Sequence, residues 1–321
     1  TADVFPLALA YLRIYLIGMP VILLYNFETA IFRSIGDTKV PLAALAVSGV
    51  LNVLLNLFFV IVLHMTVNGV AIATVAANAV SAALLYVRLT RTDKCVRVER
   101  KALRIDGASL KRILSIGLPA GVQSAVFSFA NIVIQSAINT LGTVAIAASS
   151  AAFNVEILAY DVLNSFSQAC TTFVGQNYGA GKPERIWSGI KASTLMMVVY
   201  TAVTFLILMV GAKSFALIFV DPSEVEILEK TELFLHISVS FFPMLGLLCI
   251  LRYTIQGVGY TNLAMFSGVS EMIARILVSI CAVPAFGFIA VCFGDPMAWV
   301  AADLFLIPAF IYVYRLSLIH I

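Results

Sequence analysis

The sequence predicts an all-α protein that crosses a membrane many times. Of its 321 residues, 61% are hydrophobic and only 12% are charged, whereas about a quarter of a soluble domain is charged. The mean hydropathy is +1.02. Apolar runs long enough for the ~20 residues that a helix needs to span a bilayer recur along the whole chain. These runs do not alternate between apolar and polar residues, which argues against a membrane β-barrel.

Nine apolar runs define the predicted helices. They lie near 8–31, 41–63, 68–89, 113–137, 147–174, 190–219, 231–255, 263–285 and 297–316. Short turns separate most of them, but a longer, strongly charged stretch follows the third run. We therefore expect a first helical unit at 1–90, a linker at 91–112 and a second unit at 113–316.

The basic residues predict the orientation of the chain. Nine of them fall between residues 88 and 112, namely Arg88, Arg91, Lys94, Arg97, Arg100, Lys101, Arg104, Lys111 and Arg112. The alternate connectors at 64–67, 138–146 and 286–296 carry neither Lys nor Arg. By the positive-inside rule the basic side is cytoplasmic, which also places the C-terminus there. Arg252 and Arg315, near the ends of two runs, are assigned to the same side.

The basic linker does not indicate a nucleic-acid partner. It is short, and aromatic residues are not interleaved with its charges. The expected surroundings are instead the lipids of a plasma membrane that the chain crosses many times.

A repeat with an offset of 223 residues relates two parts of the chain. Pro20 matches Pro243, and Gly36 in "FRSIGDTKV" matches Gly259 in "IQGVGYTNL". Each copy predicts a helix with a proline, a cytoplasmic turn with a glycine, and a second helix. Two like-oriented bundles facing a midplane cavity are a recurring plan of transporters. Because six helices follow the linker and three precede it, we expect a further segment of roughly 110 residues upstream, by the same offset.

Several motifs in order resemble the MATE (multidrug and toxic compound extrusion) family, and most closely its DinF-like branch. They are "VGQNYGAGKPERI" at 174–186, "YLRIYLIGMP" at 11–20, "LYNFETAIFRSIGDTKVP" at 24–41, "GLPAGVQSAVFSFANIVIQSAINTLG" at 117–142 and "SEMIARI" at 270–276. The resemblance implies a two-lobe, pseudo-symmetric helical bundle of which this chain holds helices 4–12. It also implies a monomeric antiporter, not an enzyme, that exports cationic amphipathic small molecules in exchange for Na⁺ or H⁺ without a cofactor.

The resemblance places part of a polar site in the first unit. The matching positions are Tyr11 and Asn26 on family helix 4, Asn52 on helix 5 and Thr74 on helix 6. Asn56 stands where many relatives have Asp, which removes a negative charge and weakens the case for tight Na⁺ coordination. Asn52 and Asn56 are four residues apart and share a helical face. Their amides could bind a cation or a substrate, or form hydrogen bonds between helices.

The second unit offers further binding candidates. Gln123 and Asn131 belong to a polar stripe that continues through Gln135 and Asn139 along one run, as expected for a cavity lining or for helix–helix contacts. Glu156 and Asp161 are five residues apart, so they face different directions. One of them could carry a proton or anchor a cation, or pair with a neighbour.

Other ionisable residues in apolar runs favour structural roles. Glu271 and Arg275 are four apart, which predicts a salt bridge along one helix. Glu28 near a helix end is expected to snorkel or to pair with Arg33, and Asp303 could face the cavity.

Two alternatives remain at this stage. A flippase for lipid-linked oligosaccharides, in the same superfamily, should line its cavity with cations for a pyrophosphate, but Arg13 and Arg275 are the basic residues inside the runs. An intramembrane enzyme would need a motif such as HExxH, which the sequence lacks. The five cysteines show no CxxC spacing, so neither a zinc site nor a disulfide framework is expected.

Overall fold

A computed structural model of the chain describes residues 5–99, 101 and 103–318. Within these residues every regular element is helical. Eight helices are long and apolar enough to cross a membrane, and a ninth span results if the bent pair Val225–Ser240 and Phe242–Val258 is counted as one. The predicted all-α membrane fold with nine spans is thus confirmed. Arg100 of the predicted basic linker and residues 319–321 of the tail, with His320, lie outside the described residues.

The first unit contains three helices. They are α1 (Phe5–Ser34), α2 (Lys39–Leu57, continued by a π-helical turn at Phe58–Val62) and α3 (Val67–Arg91). Contacts divide the chain into compact units at 1–105 and 106–321, so the boundary falls inside the predicted linker.

Helix α3 holds the first unit together because α1 and α2 both pack on it. Small residues permit this close approach, as is usual between membrane helices. A Cβ atom added to Gly18 would lie 2.3 Å from a methyl carbon of Val75. The Ser81 hydroxyl donates a 2.9 Å hydrogen bond to the carbonyl oxygen of Ala44 on α2. Close helix–helix packing and an interhelical hydrogen bond therefore hold the three helices of this unit together, rather than a large apolar core.

The second unit contains the remaining helices. They are α4 (Gly107–Asn139), α5 (Thr143–Gly179), α6 (Pro183–Ala216), α7 (Val225–Ser240), α8 (Phe242–Val258), α9 (Thr261–Leu277, continued by a π-helical turn at Val278–Ala282), α10 (Val283–Phe286), α11 (Phe288–Cys292) and α12 (Gly294–Val313, continued by a π-helical turn at Tyr314–Leu318). Helix α9 packs on α4 and α12, and α8 packs on α5 and α12. These five helices surround the cavity described below.

Helix α4 begins six residues earlier than the predicted apolar run at 113. Asp106 caps it, since its carboxylate accepts a 2.8 Å hydrogen bond from the Ser109 amide. The hydrogen bonds from Ser109 also lower the pKa of Asp106. The cap extends the helix through polar residues that hydropathy assigns to the linker.

The repeated turn has the same geometry in both copies. Gly36 has φ of +76° and Gly259 has φ of +103°, a region that favours glycine. In the first copy the amides of Gly36 and Asp37 donate to the carbonyl oxygens of Arg33 and Phe32. The amides of Gly259 and Tyr260 donate to Gln256 and Ile255, the positions 223 residues later.

The proline-containing helices of the two copies differ. Helix α1 runs through Pro20 without interruption. Its counterpart is broken between α7 and α8, just before Pro243, and the two parts are bent by 47°. Proline removes one backbone hydrogen bond, which permits a bend without requiring one.

Candidate polar cavity of the second unit

The second unit contains an open cavity of about 680 Å³. Residues of α4, α5, α8, α9 and α12 line it, with apolar and aromatic walls from residues such as Phe127, Phe153 and Trp299. Its charged lining residues are Glu156, Arg252, Glu271, Arg275 and Asp295. Such a concentration of charge inside membrane-spanning helices makes this cavity the candidate functional site.

Two ion pairs between helices account for four of these charges. The Arg252 guanidinium on α8 binds the Glu271 carboxylate on α9, and its Nε donates to Ser267 Oγ at 3.0 Å. Arg275 Nη2 on α9 lies 2.7 Å from Asp295 Oδ1 in the first turn of α12.

The predicted salt bridge between Glu271 and Arg275 is wrong. Both residues are on α9, but each pairs with a charge from another helix. Arg252, assigned from the sequence to the basic side of the chain, does not extend to the surface, because its side chain is only 13% exposed and lines the cavity. Tertiary packing brings counter-charges that the helical spacing alone does not reveal.

Arg275 is the more strongly fixed of the two arginines. It is 3% exposed, and its Nη1 donates a 2.8 Å hydrogen bond to Asn131 Oδ1 on α4. Its guanidinium carbon lies 4.5 Å from the centre of the Phe127 ring, a cation–π distance. The guanidinium is thus held by an acid, an amide and an aromatic face.

Glu156 is the remaining charged residue of the cavity. It is 8% exposed, and Ser238 Oγ on α7 donates a 2.6 Å hydrogen bond to its Oε1. Among the described residues no arginine or lysine forms an ion pair with it. Three carboxyl groups and two guanidinium groups therefore line the cavity, and one carboxyl is left without a counter-charge. A buried carboxylate is costly unless a proton or a cation neutralises it.

The structure brings together three of the residues predicted in this unit. Gln123 and Asn131 on α4 line the same cavity as Glu156. The Gln256 side chain donates to Gln123 Oε1 at 3.3 Å. Asp161, by contrast, is exposed and does not line the cavity. The direction of Asp161 follows from its position about 140° around the helix from Glu156.

A second polar cluster lies in the first unit. Asn56 Nδ2 donates to Asn52 Oδ1 at 3.1 Å, and Asn52 Nδ2 lies 3.5 Å from Thr74 Oγ1 on α3. Asn56 Oδ1 is buried and has no hydrogen-bond partner in the part of the chain that the structure describes. The predicted residues Asn52, Asn56 and Thr74 thus form one cluster with a free acceptor.

The other two residues predicted in this unit are not bonded to the cluster. Asn26 is exposed and its Nδ2 donates to the carbonyl oxygen of Ile22 on its own helix at 2.9 Å. Tyr11 stacks on Tyr15 with ring centres 6.1 Å apart.

Two buried carboxyl groups lie outside both clusters. Glu28 is 3% exposed and Asp303 is 4% exposed, and within the described residues neither carboxyl has a hydrogen-bond partner. The expectation that Glu28 snorkels is therefore wrong, and its carboxyl oxygens accept no hydrogen bond from Arg33. Asp303 does not line the cavity. Among the described residues no group of three or more His, Cys, Asp or Glu is arranged to hold a metal ion.

Sequence reasoning missed Arg252, Ser238 and Asp295. Arg252 lies near the end of the seventh apolar run, a position at which the sequence alone does not reveal a partner acid. Asp295 precedes the last predicted run, and Ser238 is one serine among many. Only the position of α12 at the cavity and the packing of α7 on α5 distinguish these two residues.

Comparison with protein families gives two matches. The MatE family profile matches residues 119–281. The profile of the lipid II flippase MurJ matches residues 7–140.

Several curated bacterial proteins are similar over most of the chain. The probable multidrug resistance protein YpnP of Bacillus subtilis is 26% identical over 79% of this chain and 56% of its own length. The FAD transporter of Shewanella oneidensis is 25% identical over 76% and 55%. The multidrug export protein MepA of Staphylococcus haemolyticus is 22% identical over 80% and 57%. The chain spans little more than half the length of these relatives.

Solved structures share the arrangement of helices. A multidrug resistance MATE family transporter of the MOP superfamily, in an outward-facing conformation, has a TM-score of 0.89 and 21% identity, over 97% of this chain and 70% of that one. A MOP superfamily transporter from Pyrococcus furiosus has a TM-score of 0.86 and 20% identity, over 96% and 69%. A likeness at this level of identity concerns the fold alone.

Proposed function

Because this chain belongs to the MATE family of multi-pass membrane transporters, we propose that it acts in the export of organic cations and drugs in exchange for Na⁺ or H⁺. Relatives named as multidrug resistance and export proteins support the substrate class. The MATE-type helical fold supports the mode of action, in which a cavity opens alternately to the two sides of the membrane.

The observation that carries the proposal is the unbalanced carboxyl group of Glu156. The two arginines of the cavity are each paired with another acid, and neither forms an ion pair with Glu156 among the described residues. The group is therefore free to hold one positive charge. The aromatic walls of Phe127, Phe153 and Trp299 suit the apolar body of an amphipathic cation.

Exchange follows if the coupling ion and the substrate compete for this one charge. A proton or Na⁺ on Glu156 lowers the affinity for a cationic substrate, and loss of that ion restores it. Antiport needs such mutual exclusion, since binding of one ligand must change the affinity for the other. In the first unit, the oxygens of Asn52, Asn56 and Thr74 provide uncharged ligands for a substrate or a weakly held ion.

Transport in reconstituted vesicles tests the proposal. The protein, expressed from its complete reading frame, is given a fluorescent organic cation under a Na⁺ gradient or a pH gradient imposed separately. The expected result is cation movement driven by one of the two gradients. Glu156→Gln should reduce the driven rate at least about tenfold, because a neutral amide cannot exchange a charge. Asp161→Asn, a change of the same kind on the same helix but outside the cavity, should leave the rate unchanged.

Absence of cation movement under either gradient contradicts the proposal. Equal losses in Glu156→Gln and Asp161→Asn would show that Glu156 has no special role. A vesicle arm with FAD in place of the cation tests whether the substrate resembles that of the Shewanella relative.

A lipid-linked oligosaccharide flippase is the second candidate, favoured by the MurJ match over residues 7–140. Such a substrate carries a pyrophosphate, which requires free cations in the cavity. The paired state of Arg252 and Arg275 argues against it. Movement of a labelled pyrophosphoryl lipid between leaflets, without movement of organic cations, would favour the flippase.

A further inference from the structure

A groove of about 490 Å³ runs between α2 and α3 of the first unit, away from the polar cluster of Asn52 and Asn56. One end is basic, with Lys39 at the start of α2 and Arg88 and Arg91 in the last turn of α3. The rest of the wall is apolar and includes Val40, Ala43, Val47, Leu84 and Val87. We call the three cations the basic rim and the apolar residues the groove wall.

The basic rim carries positive charge without an internal counter-charge. Lys39, Arg88 and Arg91 are exposed, and none forms an ion pair within the described residues. Asp37, the acid of the adjoining turn, is bound by Lys94 Nζ at 2.8 Å. Because α2 begins at Lys39, the positive end of its helix dipole adds to the same rim.

The groove wall is apolar and open. Val47, Leu84 and Val87 are 52%, 41% and 43% exposed. The part of α2 from Lys39 to Val47 is about 12 Å long at the helical rise of 1.5 Å per residue. That length matches a substantial part of an acyl chain. A small soluble anion would leave this wall uncovered.

The two parts of the groove fit a single kind of ligand. We propose that the groove binds an anionic phospholipid, with its phosphate on the basic rim and an acyl chain along the groove wall. Basic pockets between membrane helices on the cytoplasmic side bind anionic headgroups by this combination of contacts. Arginine suits the phosphate because its guanidinium donates paired hydrogen bonds. The inference is independent of the transported substrate.

Native mass spectrometry of the purified protein tests the proposal. The protein is held in mixed micelles with equal amounts of phosphatidylglycerol and phosphatidylcholine that carry the same acyl chains. The expected result is at least about fivefold more protein with one bound phosphatidylglycerol than with one bound phosphatidylcholine. The triple variant Lys39→Gln, Arg88→Gln, Arg91→Gln should bring that ratio close to one.

Two further variants separate the groove from general effects. The control Arg97→Gln, Arg104→Gln, Arg112→Gln removes the same charge from exposed residues that do not line the groove, and it should keep the preference. Ala43→Phe keeps all three cations but fills the groove, and it should reduce retention of both lipids. All variants change exposed residues, and monodisperse elution verifies their folding.

Three results would overturn the proposal. An equal loss of preference in the rim variant and the control variant would indicate attraction by net charge alone. Equal retention of both lipids by the unmodified protein would indicate that the groove does not distinguish between the two headgroups. Lipid retention that Ala43→Phe leaves unchanged would show that the lipid binds outside the groove.

Discussion

Charged residues in the cavity of the second unit are paired between helices and not along one helix. Glu271 and Arg275 are one turn apart on α9, yet their partners are Arg252 on α8 and Asp295 on α12. An ion pair four residues apart on an exposed helix contributes only about 0.3–0.5 kcal/mol. That contribution is too small to offset the desolvation cost of burying two charges. Each guanidinium group also donates a hydrogen bond to a neutral side chain, Arg252 to Ser267 and Arg275 to Asn131, while Arg275 Nε is buried without a partner in the part of the chain that the structure describes.

The ion pair of Arg252 and Glu271 predicts an asymmetric response to mutation. Glu271→Gln leaves the Arg252 charge buried without its partner and should lower the free energy of unfolding by about 3–5 kcal/mol. Unfolding of the detergent-solubilised protein by heat or denaturant measures the loss. The double variant Arg252→Met, Glu271→Met should recover much of it, because no uncompensated charge remains.

An exposed ion pair provides the matched control. Lys230 Nζ lies 2.8 Å from Glu226 Oε1 at the surface, where Glu226 is 67% exposed. Glu226→Gln should therefore change stability by less than about 1 kcal/mol. Equal losses in Glu226→Gln and Glu271→Gln would contradict the account of the cavity pair.

At the scale of helices, the contact of α1 with α3 depends on the absence of a side chain at Gly18. Gly18→Ala would place a Cβ atom 2.3 Å from a methyl carbon of Val75, whose branched side chain has little freedom to move. The helices must separate or Val75 must change rotamer, at a cost of about 1–3 kcal/mol. Denaturation of the purified protein measures the effect.

Two variants check the cause of that effect. Gly49→Ala adds the same atom to α2 where nothing lies within 4 Å, so it should be neutral or slightly stabilising. Val75→Ala combined with Gly18→Ala should regain stability, since it removes the methyl groups that clash. Failure of this rescue would show that Gly18 matters for another reason.

The connector after α3 is attached to the turn between α1 and α2. Lys94 Nζ lies 2.8 Å from Asp37 Oδ2, and the Val98 amide donates to the carbonyl oxygen of Leu89 at 3.0 Å. The hydrogen bond from Lys94 lowers the pKa of Asp37 below its ordinary value of 3.8. The contribution of this pair to stability is thus complete above pH 3.8 and is lost as the pH falls through the lowered pKa.

Hydrogen exchange in residues 92–99 tests this attachment. The protection factor, which is the exchange rate of an unstructured chain at the same pH divided by that of the protein, should be equal at pH 7 and pH 5, because Asp37 is ionised at both. Asp37→Asn, which imitates the protonated carboxyl, should increase exchange at pH 7. Asp93→Asn, in the connector but without a described ion pair, should not. A lower protection factor at pH 5 than at pH 7 would assign the attachment to another group.

The sequence predicts the helices well and their contacts poorly. Hydropathy and length are local properties, so all nine spans were predicted, and the offset of 223 residues identified Gly36 and Gly259 as equivalent turns. The partners of Glu271 and Arg275 depend on which helices meet, and no local spacing encodes that. The helical period predicts that Asp161 and Glu156 face different directions, but the position of the cavity must be known to decide which of them lines it.

At the scale of the whole chain, the distribution of basic residues predicts one orientation in the membrane. Cys95 lies exposed on the basic connector, while Ser223 lies exposed on the connector between α6 and α7, where acids predominate. The predicted orientation places the first in the cytoplasm and the second outside.

Labelling with a membrane-impermeant maleimide measures this orientation. In a Cys281→Ser background, intact cells should label Ser223→Cys within minutes, whereas Cys95 should react only after the membrane is permeabilised. Cys170, Cys249 and Cys292 are buried and should remain unlabelled in both cases. Labelling of Cys95 in intact cells would reverse the assignment and place the C-terminus outside.

The break between α7 and α8 divides one transmembrane span into two helices that meet at an angle. Ser238, which donates to Glu156, lies on α7, and Arg252, which binds Glu271, lies on α8. A change in the 47° angle that keeps Arg252 on Glu271 changes the direction of α7, the helix that carries Ser238, relative to α8. The hydrogen bond to the unpaired carboxyl group of Glu156 thus comes from one side of this bend, and the ion pair with Glu271 comes from the other.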